Sequence, residues 1–266
     1  MLKPRLRGNQ PLRVALLTSS RAPGLGHLLD QDPDRGRLYQ IVVGVVTDPE
    51  AEAAELERAR IPRVVHDLRA FCRERGGRVG DLDLRRLFDG RTLRSLQSYR
   101  PDLVVLSGYL HILTAPMLEA FPNAILNVHD ADLAILGPDG KPRYRGLRST
   151  FEALAGGEPE TRSSVHLVTP ELDVGPLLVR SEGFPVHPLV TDARRWGAAD
   201  VLKAYAYAQR EWMMRASWGR LLAKAISLFG LGQVRILDGR AAVDGRLGPV
   251  ELLPAGPALE RAVMAK

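Results

Sequence analysis

The sequence predicts an α/β fold built on a mostly parallel sheet with helices on both faces. Short apolar runs at 12–18, 39–47, 61–66 and 101–108 read as buried strands, stretches of helical period separate them, and Gly, Pro or Asp residues mark the junctions. A chain of 266 residues with 45% apolar content can bury one sizeable core. No run approaches the length needed to cross a bilayer. Lys and Arg number 37 against 31 acidic residues, a surplus of six spread along the chain. That balance suits an anionic small molecule or a nucleic acid, and more simply a soluble surface rich in Arg. The single cysteine, Cys72, excludes an internal disulfide framework and a Cys-cluster zinc site. Together with an N-terminus that lacks the apolar stretch of a signal peptide, it predicts a cytoplasmic protein.

The elements follow in order. The run at 12–18 gives way at once to Ser19, Ser20, Arg21, Ala22, Pro23, Gly24, Leu25 and Gly26, and then to the apolar Leu28 and Leu29 of a helix. Strand, small-residue loop and helix open a βα unit whose exposed amides can hold an anion, although the loop fits neither the dinucleotide fingerprint nor the Walker pattern. A second strand at 39–47 precedes a polar helix at 49–60 and a short third strand at 61–66, and Cys72 is read as helix packing. The helix expected at 81–99 carries Leu84, Leu87, Leu93 and Leu96 at helical spacing. A fourth strand at 101–108 is followed by a short helix at 116–121. The segment 137–146 is a loop on composition, and Ser149 is placed to cap a helix through Phe151 and Leu154. Residues 162–169 alternate as a half-buried strand, 170–176 form a turn carrying Asp173, and 177–181 pair back as a hairpin. A long amphipathic helical region at 199–229 contains Tyr205, Tyr207, Trp212, Met213, Met214 and Trp218. Such a stripe is core or a subunit contact rather than a cofactor box, and makes a homodimer a reasonable expectation. Strand-and-turn units with Asp-Gly signals at 234–246 complete the legible part.

One further apolar run, 124–130, ends in Asn127 and His129. Side chains alternate along a strand, so Asn127 and His129 share a face with Ile125, while Leu126 and Val128 turn to the other side. An amide donor beside a titratable imidazole at a strand's C-terminal end is a place for carbonyl chemistry. Taken alone, an Asn-x-His at a strand end is more often a satisfied turn than a site.

Three segments in order change that weighting: Pro101 to Tyr109 with Ile112 and Leu113; Leu126-Asn127-Val128-His129; and Ser163 to Val168 with Glu171-Leu172-Asp173-x-Gly175-Pro176. Together they resemble the formyltransferase family that uses 10-formyltetrahydrofolate, and most closely its members that act in purine synthesis. The resemblance spans about residues 13–245. It implies a Rossmann-like formyltransferase fold, with a single domain over 1–246 whose N-terminal half covers about 12–122 and catalytic half about 123–246, followed by a tail at 247–266.

The resemblance also implies the chemistry. Asn127, His129 and Asp173 would be the catalytic residues, with Asn127 and a protonated His129 donating to the oxyanion of a tetrahedral intermediate and Asp173 holding the imidazolium and relaying a proton through water. Leu110, His111, Leu113, Thr169, Pro170 and Glu171 would line the pterin pocket. Ser19, Ser20, Arg21, Gly24 and Gly26 would hold the phosphate of a small-molecule amine, glycinamide ribonucleotide. The co-substrate is 10-formyltetrahydrofolate; no metal, nucleic acid or membrane is expected. Two departures bear on the acceptor. The first loop is longer than in relatives and contains Pro23, and Asp130-Ala131-Asp132 with an insertion through Pro142 stands where relatives continue with Pro-Ser-Leu-Leu-Pro. An amino sugar or other amine as acceptor, or a folate-binding regulator without turnover, are the alternatives.

Overall fold

The computed structural model describes residues 10–19, 21–49 and 54–254. The first half runs β1 (Leu12–Thr18), α1 (Leu25–Asp30), β2 (Tyr39–Val46), α2 (Ala54–Arg58), β3 (Arg63–Val65), α3 (Leu68–Arg73), α4 (Leu82–Gln97), β4 (Leu103–Leu106), α5 (Ala115–Ala120) and β5 (Ile125–His129). The second half runs α6 (Ser149–Gly156), β6 (Glu160–Thr161), β7 (Ser164–Leu167), β8 (Leu177–Arg180), β9 (Phe184–Pro185), α7 (Leu189–Arg195), α8 (Ala199–Met213), α9 (Gly219–Gly230), β10 (Val234–Leu237), β11 (Arg240–Val243), β12 (Arg246–Leu247) and β13 (Val250–Glu251).

Eight strands form the central sheet in the order β13-β8-β7-β5-β4-β1-β2-β3. All its pairings are parallel except those of β7, which runs against both β5 and β8. The inner strands are mostly apolar because both faces are covered, and all four residues of β4 are buried. Alternation along β5 is as expected: Leu126 and Val128 join the larger core with α9, and Ile125 joins the smaller core with Val104, Leu106 and Met117. The strand order reverses between β1 and β4, so the C-terminal ends of these two strands flank the crevice where open α/β sheets bind ligands.

Between α8 and α9 the chain makes a π-helical turn, Met214–Trp218. The extra residue turns Trp218 inward, where it is 2% exposed and its indole N–H donates to Ser163 Oγ at 2.9 Å. Asp238 and Gly239 join β10 to β11 with positive φ at both positions (49° and 75°), as a two-residue hairpin turn requires. Among the described residues no helix is long and apolar enough to cross a membrane.

Four local expectations are corrected. The buried face of α4 is Arg85, Phe88, Asp89, Thr92 and Leu96, while Leu87 is 57% exposed; an ion pair, not leucines alone, fills that face. Ser149 is the first residue of α6 and does not cap it, because its hydroxyl donates to Asp130 Oδ1 at 2.8 Å. The helix expected at 49–60 is one short segment, Ala54–Arg58, with 50–53 outside the described residues. The segment set apart as a tail from residue 247 supplies β13, which extends the central sheet in parallel beside β8; the residues from 255 onward lie outside the described residues.

Candidate active site

The antiparallel pairing of β5 with β7 sets Asn127 directly opposite His166 and His129 opposite Ser164. Asn127 Nδ2 lies 3.1 Å from His166 Nε2, and His166 Nδ1 lies 2.9 Å from the Leu167 carbonyl. A carbonyl can only accept, so Nδ1 carries the proton and, in the neutral ring, Nε2 accepts from the Asn127 amide. That bond fixes the amide's orientation and leaves its second N–H free. His166 is 2% exposed, and its partner is the candidate oxyanion donor itself.

His129 is 7% exposed. Its Nδ1 lies 3.8 Å from Asp173 Oδ2 and 3.9 Å from Asp130 Oδ1, and its Nε2 lies 3.3 Å from the Tyr144 carbonyl. Two carboxylates therefore face one ring nitrogen and attract a protonated imidazole. Asp173 closes the group, with Oδ1 3.5 Å from His166 Nε2 and Oδ2 accepting from the Gly146 amide at 2.8 Å. Its backbone is left-handed at φ 54°, which for a non-glycine residue marks a conformation held by its surroundings. Burial acts to raise the Asp173 carboxyl, but His166, whose Nε2 donates to it once the ring is protonated, the charge of His129 and the Gly146 amide outweigh it and hold the group at about 2.

The sign of that shift sets a stability prediction. A carboxyl depressed in the folded state stabilises it above the unfolded value of about 3.9, and this is lost as pH falls through the folded value. Between pH 4 and 2 the wild-type protein should lose about 2 kcal/mol that Asp173→Asn, having no such group, does not lose. Urea melts of both proteins across that interval check it.

Gly175 lets the Asp173 turn close onto β7. A Cβ there would stand 1.8 Å from the Leu167 carbonyl oxygen, against backbone that cannot yield. Gly175→Ala should therefore displace the turn, lowering the melting temperature by several degrees and removing most activity; thermal scans beside activity measurements test both.

A cavity of about 370 Å³ opens beside these residues, in the size range of small-molecule sites. Asn127, His129, His166 and Asp173 line it together with Leu110, His111, Leu113, Thr169 and Pro170 of the expected pterin pocket. Glu171 does not line it: the carboxylate is exposed, 2.6 Å from Lys141 Nζ and 3.5 Å from Arg145 Nη1. Lys141, in the 137–146 loop, supplies one of those charges. His111 is pushed down to about 4 by burial and then by Arg85 and Arg69, so it meets a ligand as a neutral ring.

The 109–114 loop rests on two buried residues that sequence reasoning missed. Arg85 Nη2 donates to the Ile112 carbonyl at 2.7 Å and the Tyr109 hydroxyl at 3.1 Å, and Asp89 Oδ2 accepts from the amide and hydroxyl of Thr114 at 2.6 and 2.7 Å. The pair is 3.6 Å apart with both side chains nearly fully buried. Its signal was an i, i+4 Arg and Asp among the leucines of α4. Asp89→Ala leaves Arg85 buried without its carboxylate and should cost about 3–5 kcal/mol, measurable by denaturant unfolding.

The first loop is tied to the 108–110 segment, the Ser19 amide donating to the Gly108 carbonyl. Ser19 is buried, its hydroxyl accepting from the Leu110 amide at 2.9 Å. Arg21 lies 3.6 Å from Glu211, and Arg21, Gly24 and Gly26 line a groove whose described residues are not among those lining the Asn127–His129 cavity. Gly24, at φ 86°, is needed for packing, since a Cβ would approach the Gly219 nitrogen to 2.8 Å. Ser20 lies outside the described residues. The two acidic residues after His129 are spent on structure. Asp130 binds the Arg210 guanidinium and Ser149, and Asp132 binds Arg180 at 2.6 Å.

The formyl transferase family signature matches residues 12–193. The chain belongs to the formyl transferase family. It is 33% identical over 172 residues to the phosphoribosylglycinamide formyltransferase of Escherichia coli strain K12, covering 64% of this chain and 72% of that one. It is 24% identical over 218 residues to the formyltetrahydrofolate deformylase of the same organism, covering 82% and 68%. Among solved structures it is similar to glycinamide ribonucleotide transformylase 1 from Symbiobacterium toebii, with TM-score 0.65, 25% identity, and 88% and 94% of the two chains covered. The formyltransferase fold read from the three sequence segments is thus the fold observed.

Proposed function

We propose that this formyltransferase transfers the formyl group of 10-formyltetrahydrofolate to the primary amine of glycinamide ribonucleotide. The observation that supports it most is the meeting of Asn127, His129 and Asp173 at the wall of the cavity bounded by the 110–113 loop. Leu106, Leu110, Ile112, Leu113 and Val168 give that cavity apolar walls suited to a flat pterin ring. The relatives named for transfer to this amine support the acceptor.

The amine nitrogen attacks the formyl carbon, and the C–O π electrons move to oxygen. The free N–H of Asn127 and the charge of a protonated His129 stabilise that oxyanion. His129's contact to Tyr144, at 3.3 Å, is long, so exchanging it for a ligand costs little. Collapse breaks the bond from carbon to N10 of the folate, and the proton lost by the amine reaches N10. With its carboxyl at about 2, Asp173 stays ionised across the neutral range; it holds the imidazolium and orients a relaying water without keeping the proton.

Offering the purified protein a formyl-folate analogue with a panel of amines, and following deformylation by absorbance, tests the proposal. Turnover dependent on glycinamide ribonucleotide is the expected result. Turnover only with an amino sugar nucleotide replaces the acceptor. Equal turnover with no amine makes water the acceptor, the reaction for which the deformylase relative is named. Saturable folate binding without turnover makes the protein a folate-binding regulator.

A further inference from the structure

We infer that Arg210 is a positioning residue for His129: by neutralising Asp130 it leaves Asp173 as the one uncompensated carboxylate at the imidazole. The inference rests on the formyl-transfer reading for what the ring does there, while the charge arrangement itself can be tested without that reaction.

Two carboxylates stand almost equally far from His129 Nδ1, Asp173 Oδ2 at 3.8 Å and Asp130 Oδ1 at 3.9 Å. One N–H cannot serve both, and a second full negative charge would also stand in the wall where the oxyanion forms. The surroundings of the two acids break that tie. Asp173 receives the Gly146 amide and, among the described residues, no Lys or Arg side chain. Asp130 is bound through Oδ2 to the Arg210 guanidinium and through Oδ1 to the Ser149 hydroxyl at 2.8 Å, and its carbonyl accepts from the Thr150 hydroxyl at 2.8 Å. The start of α6 and the face of α8 thus fix the residue that follows His129 and cancel its charge together.

Arg210 is itself aimed. Its guanidinium carbon lies 6.0 Å from the centre of the Trp218 ring, which the π-helical turn after α8 turns inward and the Ser163 hydroxyl holds. The other groups around His129 do not take over this task. His166 on β7 has its ring centre 6.4 Å away and its Nδ1 bonded to Leu167. The 137–146 loop presents the Tyr144 carbonyl, the hydroxyl of that residue donating to Glu158 at 2.6 Å. Of the remaining titratable residues described in the cavity lining, His111 is pushed down to about 4 and Tyr109 up to about 12, both by burial first, so both are neutral at pH 7.

The test follows the His129 ring by NMR as pH is varied, its signals assigned by their loss in His129→Ala. Wild-type protein is compared with Arg210→Gln, Asp130→Asn, the double variant and Arg210→Lys, and thermal melts verify that each is folded. Arg210→Gln leaves Asp130 uncompensated and should raise the titration midpoint by about one pH unit. Asp130→Asn leaves the guanidinium beside the ring and should lower it by a similar amount. The double variant and Arg210→Lys, in which the charges balance again, should return to the wild-type midpoint. A midpoint unmoved in both single variants, or moved the same way in both, overturns the inference; should Arg210→Gln not fold, a fall with Asp130→Asn supports it and no fall overturns it. Kinetics reads the reaction separately. The alkaline limb of kcat should follow the midpoint, in opposite directions in the two single variants, with the KM for the folate unchanged. Limbs that stay in place while the midpoints move uphold the charge balance and overturn instead the role of a protonated His129 in transfer.

Discussion

His129→Ala should lower kcat/KM for formyl transfer by about 10²–10⁴-fold, the range in which a positioned acid or base and a charge at the oxyanion act. The ring is buried, its Nδ1 faces two carboxylates, and its Nε2 makes one long contact. Among the described residues of the cavity wall nothing else replaces that combination: His166 is tied to Leu167 and Asn127, and Arg210 is tied to Asp130. The loss should fall on kcat with little change in the KM for the folate, since the pterin walls come from other segments. Steady-state kinetics with each substrate varied in turn, beside circular dichroism of the variant, measures this.

Asn127→Ala is expected to cost about 10²–10³-fold in kcat, the usual loss for one oxyanion donor. Its amide is oriented before substrate arrives, because His166 accepts one N–H and leaves the other for the oxygen. Asn127→Asp should be no better than alanine, since a carboxylate there repels the oxyanion. His166→Gln keeps an acceptor within reach and should retain more activity than His166→Ala. That ordering separates orientation of the amide from a mere structural role.

Much of this was legible in the sequence because it depends on period and spacing. Asn127 and His129 share a face by strand alternation alone, and Leu126 and Val128 are buried on the other side as that alternation requires. The spacing from Ser163 to Pro176 located the turn bearing Asp173, although not its left-handed backbone or the closure that Gly175 permits. What was missed depends on tertiary partners. The leucines of α4 suggested an apolar face, yet Arg85 and Asp89 are buried because the 109–114 loop offers them carbonyl, hydroxyl and amide groups to bind. Ser149 sits where a cap would, but Asp130 claims its hydroxyl. Glu171 keeps the spacing of the motif, but Lys141 holds its carboxylate at the surface. The packing of α9 against Gly24 and the meeting of Arg21 with Glu211 were likewise not legible in the composition of the first loop.

Transfer at the Asn127–His129–Asp173 group is the central claim, and the fate of a labelled formyl carbon tests it most directly. Wild-type protein, 10-formyltetrahydrofolate carrying a ¹³C formyl group and glycinamide ribonucleotide would be followed by NMR, with His129→Ala alongside. The expected result is one labelled formamide on the amine for each folate consumed, and almost none with the variant. Label accumulating as free formate while the amine stays unmodified, or equal transfer by His129→Ala, would contradict it.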